Sequence, residues 1–250
     1  MQRYFINKEQ MVDEQVVING DDVKHISRVM RMGIGDKIIC SDGESRVVNC
    51  EIASISEEEI VATILSDITN NSELSVHITI AQGLPKGDKL EYVVQKGTEL
   101  GASSFIPVSL SRSIVKWDKK KEGKKIERLS KIAKEAAEQS HRSYLPTVEQ
   151  TMSLAELLSV NQQYDVKIVA YEESAKEGEH LGLGRALNSL KPGDKALVLV
   201  GPEGGLSEEE VNKLDEAGFI RASFGPRILR TETAPLYFLS AVSYHFEILR

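Results

Sequence analysis

The chain has 250 residues, 41% of them hydrophobic and 28% charged, a globular balance that excludes long disorder and fibrous repeats. Its net charge of -7 argues against a protein that coats nucleic acid indiscriminately. No apolar run approaches the ~20 residues of a membrane span, and the opening Met1-Gln-Arg-Tyr-Phe-Ile-Asn-Lys8 lacks the apolar stretch of a secretory leader, so a cytoplasmic chain without membrane contact is expected.

Residues 1 to about 70 read as a small β domain. Short apolar runs at Ile38-Ile39-Cys40, Val47-Val48 and Ile60 to Leu65 are separated by turn signals, Asp42-Gly43 the strongest among them. One short helix is predicted from Asp21-Asp22, carrying Val23, Ile26 and Val29-Met30. The polar stretch Thr69 to Ser72 marks a boundary, with a second domain over 73–250. There the rhythm changes. Ser75 to Ala81 alternates as a strand, and Asp88 is placed to cap a helix burying Leu90, Val93, Val94 and Leu100, stopped by Gly101. Residues 124–142 predict a longer helix with Ile126, Leu129, Ala133, Ala136 and Ala137 on one stripe. Asp165 to Tyr171 and Lys195 to Val200 are nearly all-apolar strands of the kind buried on both faces. Ser207 to Glu210 is a capping box, and Pro235 opens a last helix carrying Leu236, Leu239, Val242, Phe246 and Leu249. The fold class is α/β, with a largely parallel sheet in the second domain.

Charge is uneven. Residues 112–142 hold eleven Lys/Arg against five acids, so this stretch is +6 and the remainder -13. Two readings are open, a solvated helix face or a local patch for a polyanion. Cys40 and Cys50 are too few for a disulfide framework and are expected to stay reduced, and the five scattered histidines give no metal-binding spacing, so no metal is expected.

Two segments look able to carry chemistry. In Val198-Leu-Val-Gly-Pro-Glu-Gly-Gly-Leu-Ser207 a buried strand ends, glycines turn the chain and a capped helix begins, at the strand end where open α/β sheets bind ligands. Glu203 inside the loop would repel a diphosphate, so a neutral or cationic ligand fits better than a nucleotide, and a plain tight turn is the alternative. In Phe224-Gly-Pro-Arg-Ile-Leu-Arg-Thr-Glu-Thr-Ala-Pro235, Arg227, Arg230, Thr231, Glu232 and Thr233 crowd one connection. They are either a site, or helix caps at Thr231 or Thr233 beside a surface Arg230–Glu232 pair.

Over essentially its whole length the chain resembles the bacterial small-subunit ribosomal RNA uridine-N3 methyltransferases of the SPOUT superfamily. The resemblance rests on Arg3-Tyr-Phe-Ile6, His25-Ile-Ser-Arg-Val-Met-Arg-Met32 with Gly35-Asp36, and Gln82-Gly-Leu-Pro-Lys-Gly-Asp-Lys89. It continues in Gln95-Lys-Gly-Thr-Glu-Leu-Gly101, Glu135-Ala-Ala-Glu-Gln-Ser-His-Arg142, Gly201-Pro-Glu-Gly-Gly205 and Arg227-Ile-Leu-Arg-Thr-Glu-Thr-Ala234. Phe224 stands where leucine is usual and Gly97 where alanine is usual. The resemblance implies a PUA-like β-barrel for RNA over 1–70, then a SPOUT domain tied in a C-terminal trefoil knot at roughly 165–240, in a homodimer. It implies S-adenosylmethionine as methyl donor, held by Tyr171-Glu172, by Val200, Gly201, Pro202, Glu203, Gly204 and Gly205, and by Phe224, Gly225, Leu229, Thr231 and Ala234.

The uracil nitrogen to be methylated is not nucleophilic until its proton leaves. Arg230 is the candidate for stabilising charge on a uracil oxygen, and Glu232 is either the base or the group that orients Arg230. Arg3, Arg28, Arg31, Arg112 and Arg142 are the candidates for phosphate contacts with small-subunit ribosomal RNA, free or in the assembled subunit. The alternatives are a SPOUT enzyme acting on a ribose 2′-oxygen or another base position, and a non-catalytic RNA-binding assembly factor.

Overall fold

The computed structural model describes residues 1–44, 46–69, 72–171 and 182–249. They form two compact units, Met1–Glu73 with Lys134–Leu145, and Leu74–Ala133 with Pro146–Arg250. No helix among the described residues is long and apolar enough to cross a membrane.

In the first unit, β1 (Arg3–Phe5), β2 (Met11–Val12), β3 (Gln15–Asn19), β4 (Lys37–Ser41), β5 (Val47–Ile55) and β6 (Glu59–Asp67) run in the order β1-β4-β5-β6-β3-β2. Period-two patterning sends Val16 and Ile18, Ile60 and Ala62 into one core with Tyr4, Ile38 and Ile52. Register shifts at Asn49/Cys50 and Ile52/Ser54 mark irregular pairing in β5, the device that curls a sheet. The turn between β4 and β5 is an Asx turn, in which Asp42 Oδ1 accepts from the amides of Glu44 and Arg46, each at 2.9 Å. The predicted helix is one α-turn, Asp21–Lys24, continued by a π-turn, His25–Val29. It buries Val23 and Ile26, but Val29 and Met30 are exposed rather than in the core. Residues 134–145 belong to this unit, and Glu73 holds their end in place. Its carboxylate accepts from Arg142 Nε at 2.8 and 3.0 Å and from the amides of Ser143 and Tyr144 at 2.8 and 3.1 Å.

In the second unit, β7 (His77–Gly83), β8 (Ser104–Ser109), β9 (Thr147–Val148), β10 (Met152–Ser153), β11 (Val166–Ala170), β12 (Lys195–Val200) and β13 (Ile220–Ala222) build a sheet of order β10-β8-β7-β12-β11-β13, with β9 beside β8. All of these pairs are parallel, so the carboxyl ends of the strands share one edge. From β7 the chain moves outward to β8, and from β12 it moves the other way, to β13. The order therefore reverses between β7 and β12, which opens a crevice at their carboxyl ends.

The helices keep their predicted places with small differences. Lys89–Glu99 buries Leu90, Val93 and Val94, although Asp88 at its N-cap makes no side-chain cap bond. The long helix spans Lys119–Gln139, and Ala234–Ser243 buries Pro235, Leu239 and Val242. Leu249 is exposed, past the π-turn Tyr244–Ile248 that buries Phe246. At Gly97 an added Cβ would lie 2.7 Å from Phe105 Cε1, so the phenyl ring fills the space an alanine methyl would take.

Arg142 is 2% exposed, and removing its carboxylate partner strands a buried guanidinium. Glu73→Ala should therefore lower the unfolding free energy of the first unit by about 3–5 kcal/mol in urea denaturation, whereas a loss below ~1 kcal/mol would show that the pair does not hold this segment.

Candidate active site

The crevice between β7 and β12 is bridged by a short hydrogen-bond chain. Gln82 Nε2 donates to Thr231 Oγ1 at 2.8 Å, and the Thr231 hydroxyl donates to the Gly201 carbonyl at 2.6 Å. Gln82 is the last residue but one of β7, Gly201 follows β12 and Thr231 lies on the connection that returns from β13, so three segments meet where Gln82 and Thr231 are buried. The alternative of helix caps at Thr231 or Thr233 is not what forms. Thr231 holds Gly201, and Thr233 occupies the N-cap position of Ala234–Ser243 without a side-chain cap bond.

Beyond this bridge the glycine loop folds tightly. Gly205 N donates to the Pro202 carbonyl at 2.8 Å, and Gly205 has φ +68°, a conformation that suits glycine. A Cβ on Gly201 would sit 3.2 Å from the Gly205 carbonyl carbon, and one on Gly204 would sit 3.1 Å from Arg112 Cβ. Arg112 Nη1 donates to the Gly204 carbonyl at 3.2 Å. Val200, Gly201, Pro202, Glu203 and Gly205 line one wall of a cavity of about 420 Å³, and Leu229, Arg230, Thr231 and Ala234 line the other. That volume lies in the range of small-molecule sites. Tyr171, Phe224, Gly225 and Arg227 line a smaller cavity of about 70 Å³, which shares Leu229 and Ala234 with the first. Glu172 lies outside the described residues.

The charges are set by a residue to which the sequence, beyond its place in the Gln82–Lys89 segment, assigns no site role. Lys89, in the first turn of Lys89–Glu99, places Nζ 2.9 Å from Glu203 Oε1 and 3.3 Å from Glu232 Oε2. Burial alone would raise the pKa of Glu203, but the Lys89 ammonium and the Lys86 N–H outweigh it and hold the carboxyl below the usual carboxylate range. The Glu203 carboxylate in turn lifts the Lys89 ammonium above its ordinary value, against burial and with help from Glu232. Glu232 therefore pairs with Lys89 and not with Arg230 as a surface pair would. The Arg230 guanidinium is exposed at the cavity, with no hydrogen bond or ion pair among the described residues, while its carbonyl accepts from Thr233 N and Ala234 N at 2.9 and 3.1 Å. At the cavity the arrangement offers the Glu203 carboxylate and the Lys89 ammonium toward a bound zwitterion, with Glu232 behind Lys89, and one unengaged guanidinium toward a developing negative charge.

The phosphate candidates separate into two groups. Arg3 is 6% exposed and donates to the Arg142 carbonyl at 2.6 Å, and Arg142 is clasped by Glu73. Both guanidinium groups are internal struts of the first unit, which corrects the expectation that they meet RNA. Arg28 and Arg31 are exposed in that unit, and Arg112 is exposed over the glycine loop in the second.

The family pattern described as "RNA methyltransferase domain" matches residues 72–243, and that described as "RNA methyltransferase PUA domain" matches residues 18–65. The chain is 49% identical over 253 residues to the Ribosomal RNA small subunit methyltransferase E of Bacillus subtilis (strain 168), covering 100% of this chain and 99% of that protein. A crystal structure of a Ribosomal RNA small subunit methyltransferase E from Neisseria gonorrhoeae bound to S-adenosyl methionine superposes with a TM-score of 0.83 at 29% identity, over 97% of each chain. A crystal structure of a hypothetical protein superposes with a TM-score of 0.91 at 47% identity, over all of both chains.

Arg112 is steadied from below. Glu210, in the capping box of the helix Glu208–Glu216, accepts from Ser111 N at 2.7 Å and from Ser207 N at 2.9 Å. Burial alone would raise the pKa of Glu210, and these backbone donors outweigh it and hold the carboxyl below its usual range. A depressed folded-state pKa contributes stability above the unfolded carboxylate range, and that contribution is lost as pH falls through the folded value. Denaturation measured from neutral pH into the acid range should therefore show a shallower acid decline for Glu210→Gln than for the parent protein. Superimposable pH profiles would contradict this assignment.

Proposed function

The chain belongs to the Ribosomal RNA small subunit methyltransferase E family, and on that premise we propose that the cavity under Gly201–Gly205 binds S-adenosylmethionine for methylation of N3 of a uridine in small-subunit ribosomal RNA. The observation that carries this reading is the charge arrangement at the cavity. Glu203 and Glu232 share one ammonium at Lys89, a donor set suited to a zwitterionic tail and a sulfonium and unsuited to a diphosphate. The close glycine contacts leave backbone as the cavity wall, as a tightly held cofactor requires. Val200 to Gly205 would hold the donor on one side, and Leu229, Thr231 and Ala234 on the other, with Tyr171, Phe224 and Gly225 toward the smaller cavity.

When bound, S-adenosylmethionine supplies an electrophilic methyl group on a positively charged sulfur. The residues of this chain handle the acceptor. Arg230 presents its guanidinium to a uracil carbonyl oxygen and stabilises the negative charge that develops as N3 loses its proton. Glu232 takes that proton. Its Oε2 faces the Lys89 ammonium at 3.3 Å, so Oε1 is the atom assigned to accept it. Positioning of base and donor in one crevice supplies the remainder, since aligned reactants contribute ~7–11 kcal/mol.

The proposal includes a PUA-like RNA-binding unit at 1–70 and a SPOUT unit at 73–250. It includes a trefoil knot at roughly 165–240, a range of which residues 172–181 lie outside the described residues. It also includes a homodimer, action in the cytoplasm, and phosphate contacts from Arg28, Arg31 and Arg112.

Two results test this. Arg230→Ala should slow single-turnover methylation of small subunits lacking the mark by roughly 100-fold or more, and a near-normal rate removes Arg230 from the mechanism. The affinity for RNA should fall linearly with salt on a log–log scale, and Arg28→Ala and Arg31→Ala should each flatten the slope by roughly 0.7–0.9. A flat salt response in the parent protein would refute the phosphate contacts.

A further inference from the structure

The turn that carries Lys89 to the donor cavity also forms part of a second cavity. Leu84, Leu90 and Leu129 give this space of about 380 Å³ an apolar floor, and Trp117 and Lys125 border it. Lys125 Nζ lies 4.7 Å from the centre of the Trp117 ring, and Arg128 reaches across the rim to Glu91 at 2.8 Å. Residues 112–129 around it hold eight Lys/Arg against three acids, and Lys116, Lys120, Lys121 and Lys124 are exposed.

An apolar floor beside a half-buried indole, with Lys125 and Arg128 at its border, Glu91 paired to Arg128, and four exposed lysines nearby in sequence, matches a planar aromatic base joined to a phosphate. It matches neither a purely apolar ligand, which would not use the cations, nor a bare anion, which would not use the floor. Single-stranded nucleic acid is held by this combination of an aromatic platform and a basic rim. We propose that this cavity takes an unpaired base of the RNA strand next to the target uridine, stacked on Trp117, with Lys125 and Arg128 on the flanking phosphate. The ammonium now over the indole is a displaceable occupant of that ring face. Gly87, Leu90 and Glu91 line this cavity while Lys89 lines the donor cavity, so one turn of chain borders both and places a flanking nucleotide beside the reacting one. The inference rests on the methyltransferase reading and adds to it where the strand lies.

Trp117 is the single tryptophan of the chain, so its emission reports this cavity without a variant. Titration of the full chain with a short oligouridine strand should quench that emission with the same midpoint that anisotropy of the labelled strand gives for binding. A blunt-ended, fully paired RNA duplex should leave the emission unchanged. Trp117→Ala should weaken strand binding about 5- to 150-fold, the equivalent of the ~1–3 kcal/mol of one stacked base, and Trp117→Phe should restore most of it. Calorimetric titration with S-adenosylmethionine should be unchanged in both variants, showing that they are folded. Bound RNA with unmoved emission, or parental affinity in Trp117→Ala, overturns the proposal while leaving the methyltransferase reading intact. Emission that moves only with the proteins of the assembled subunit assigns the cavity to a protein contact and also overturns it. If the parent chain neither binds RNA nor methylates unmarked subunits, the methyltransferase reading fails first and this inference falls with it.

Discussion

The hydroxyl of Thr231 is the point on which the site depends. Parallel pairing delivers Gln82 and Gly201 to adjacent strand ends, but nothing in the sheet itself brings the connection after β13 back to them. The chain from Gln82 through Thr231 to the Gly201 carbonyl does so. Gln82 and Thr231 are buried, so each loses about 1–3 kcal/mol if its partner is removed. The bridge sets where Arg230 and Glu232 stand, because they are the neighbours of Thr231 in sequence.

The second constraint is electrostatic. A lysine in the first turn of a helix opposes the helix dipole by about 0.3–1 kcal/mol, and Lys89 occupies such a position. Two carboxylates offset that cost, Glu203 from the glycine loop and Glu232 from the returning connection. The ion pairs thus join the same segments as the Thr231 bridge. Arg230 remains the cation at the cavity without an ion partner among the described residues, a state consistent with work on a substrate rather than on the fold.

What could be read from the sequence follows from the range of the forces involved. Lys195 to Val200 and Val166 to Ala170 are legible because strands buried on both faces are written as unbroken apolar runs, and the Ser207–Glu210 capping box is a purely local pattern. The glycine loop was legible as a close backbone approach. Gln82 and Lys89 were not, because their partners at Thr231 and Glu203 lie more than a hundred residues away in sequence. Arg3 and Arg142 misled for the same reason. A buried guanidinium has the same letter as an exposed one, and only Glu73, distant in sequence, turns Arg142 into a strut. β13 is not legible in the sequence because three residues with an arginine in the middle carry no periodicity.

The most direct measurement is calorimetric titration of S-adenosylmethionine into the parent protein and into Thr231→Val, which keeps the shape of the side chain and removes the hydroxyl that spans the crevice. The account predicts saturable binding by the parent and at least about tenfold weaker binding by the variant, the equivalent of ~1.4 kcal/mol. No binding heat in the parent, or equal affinity in the two proteins, would contradict it.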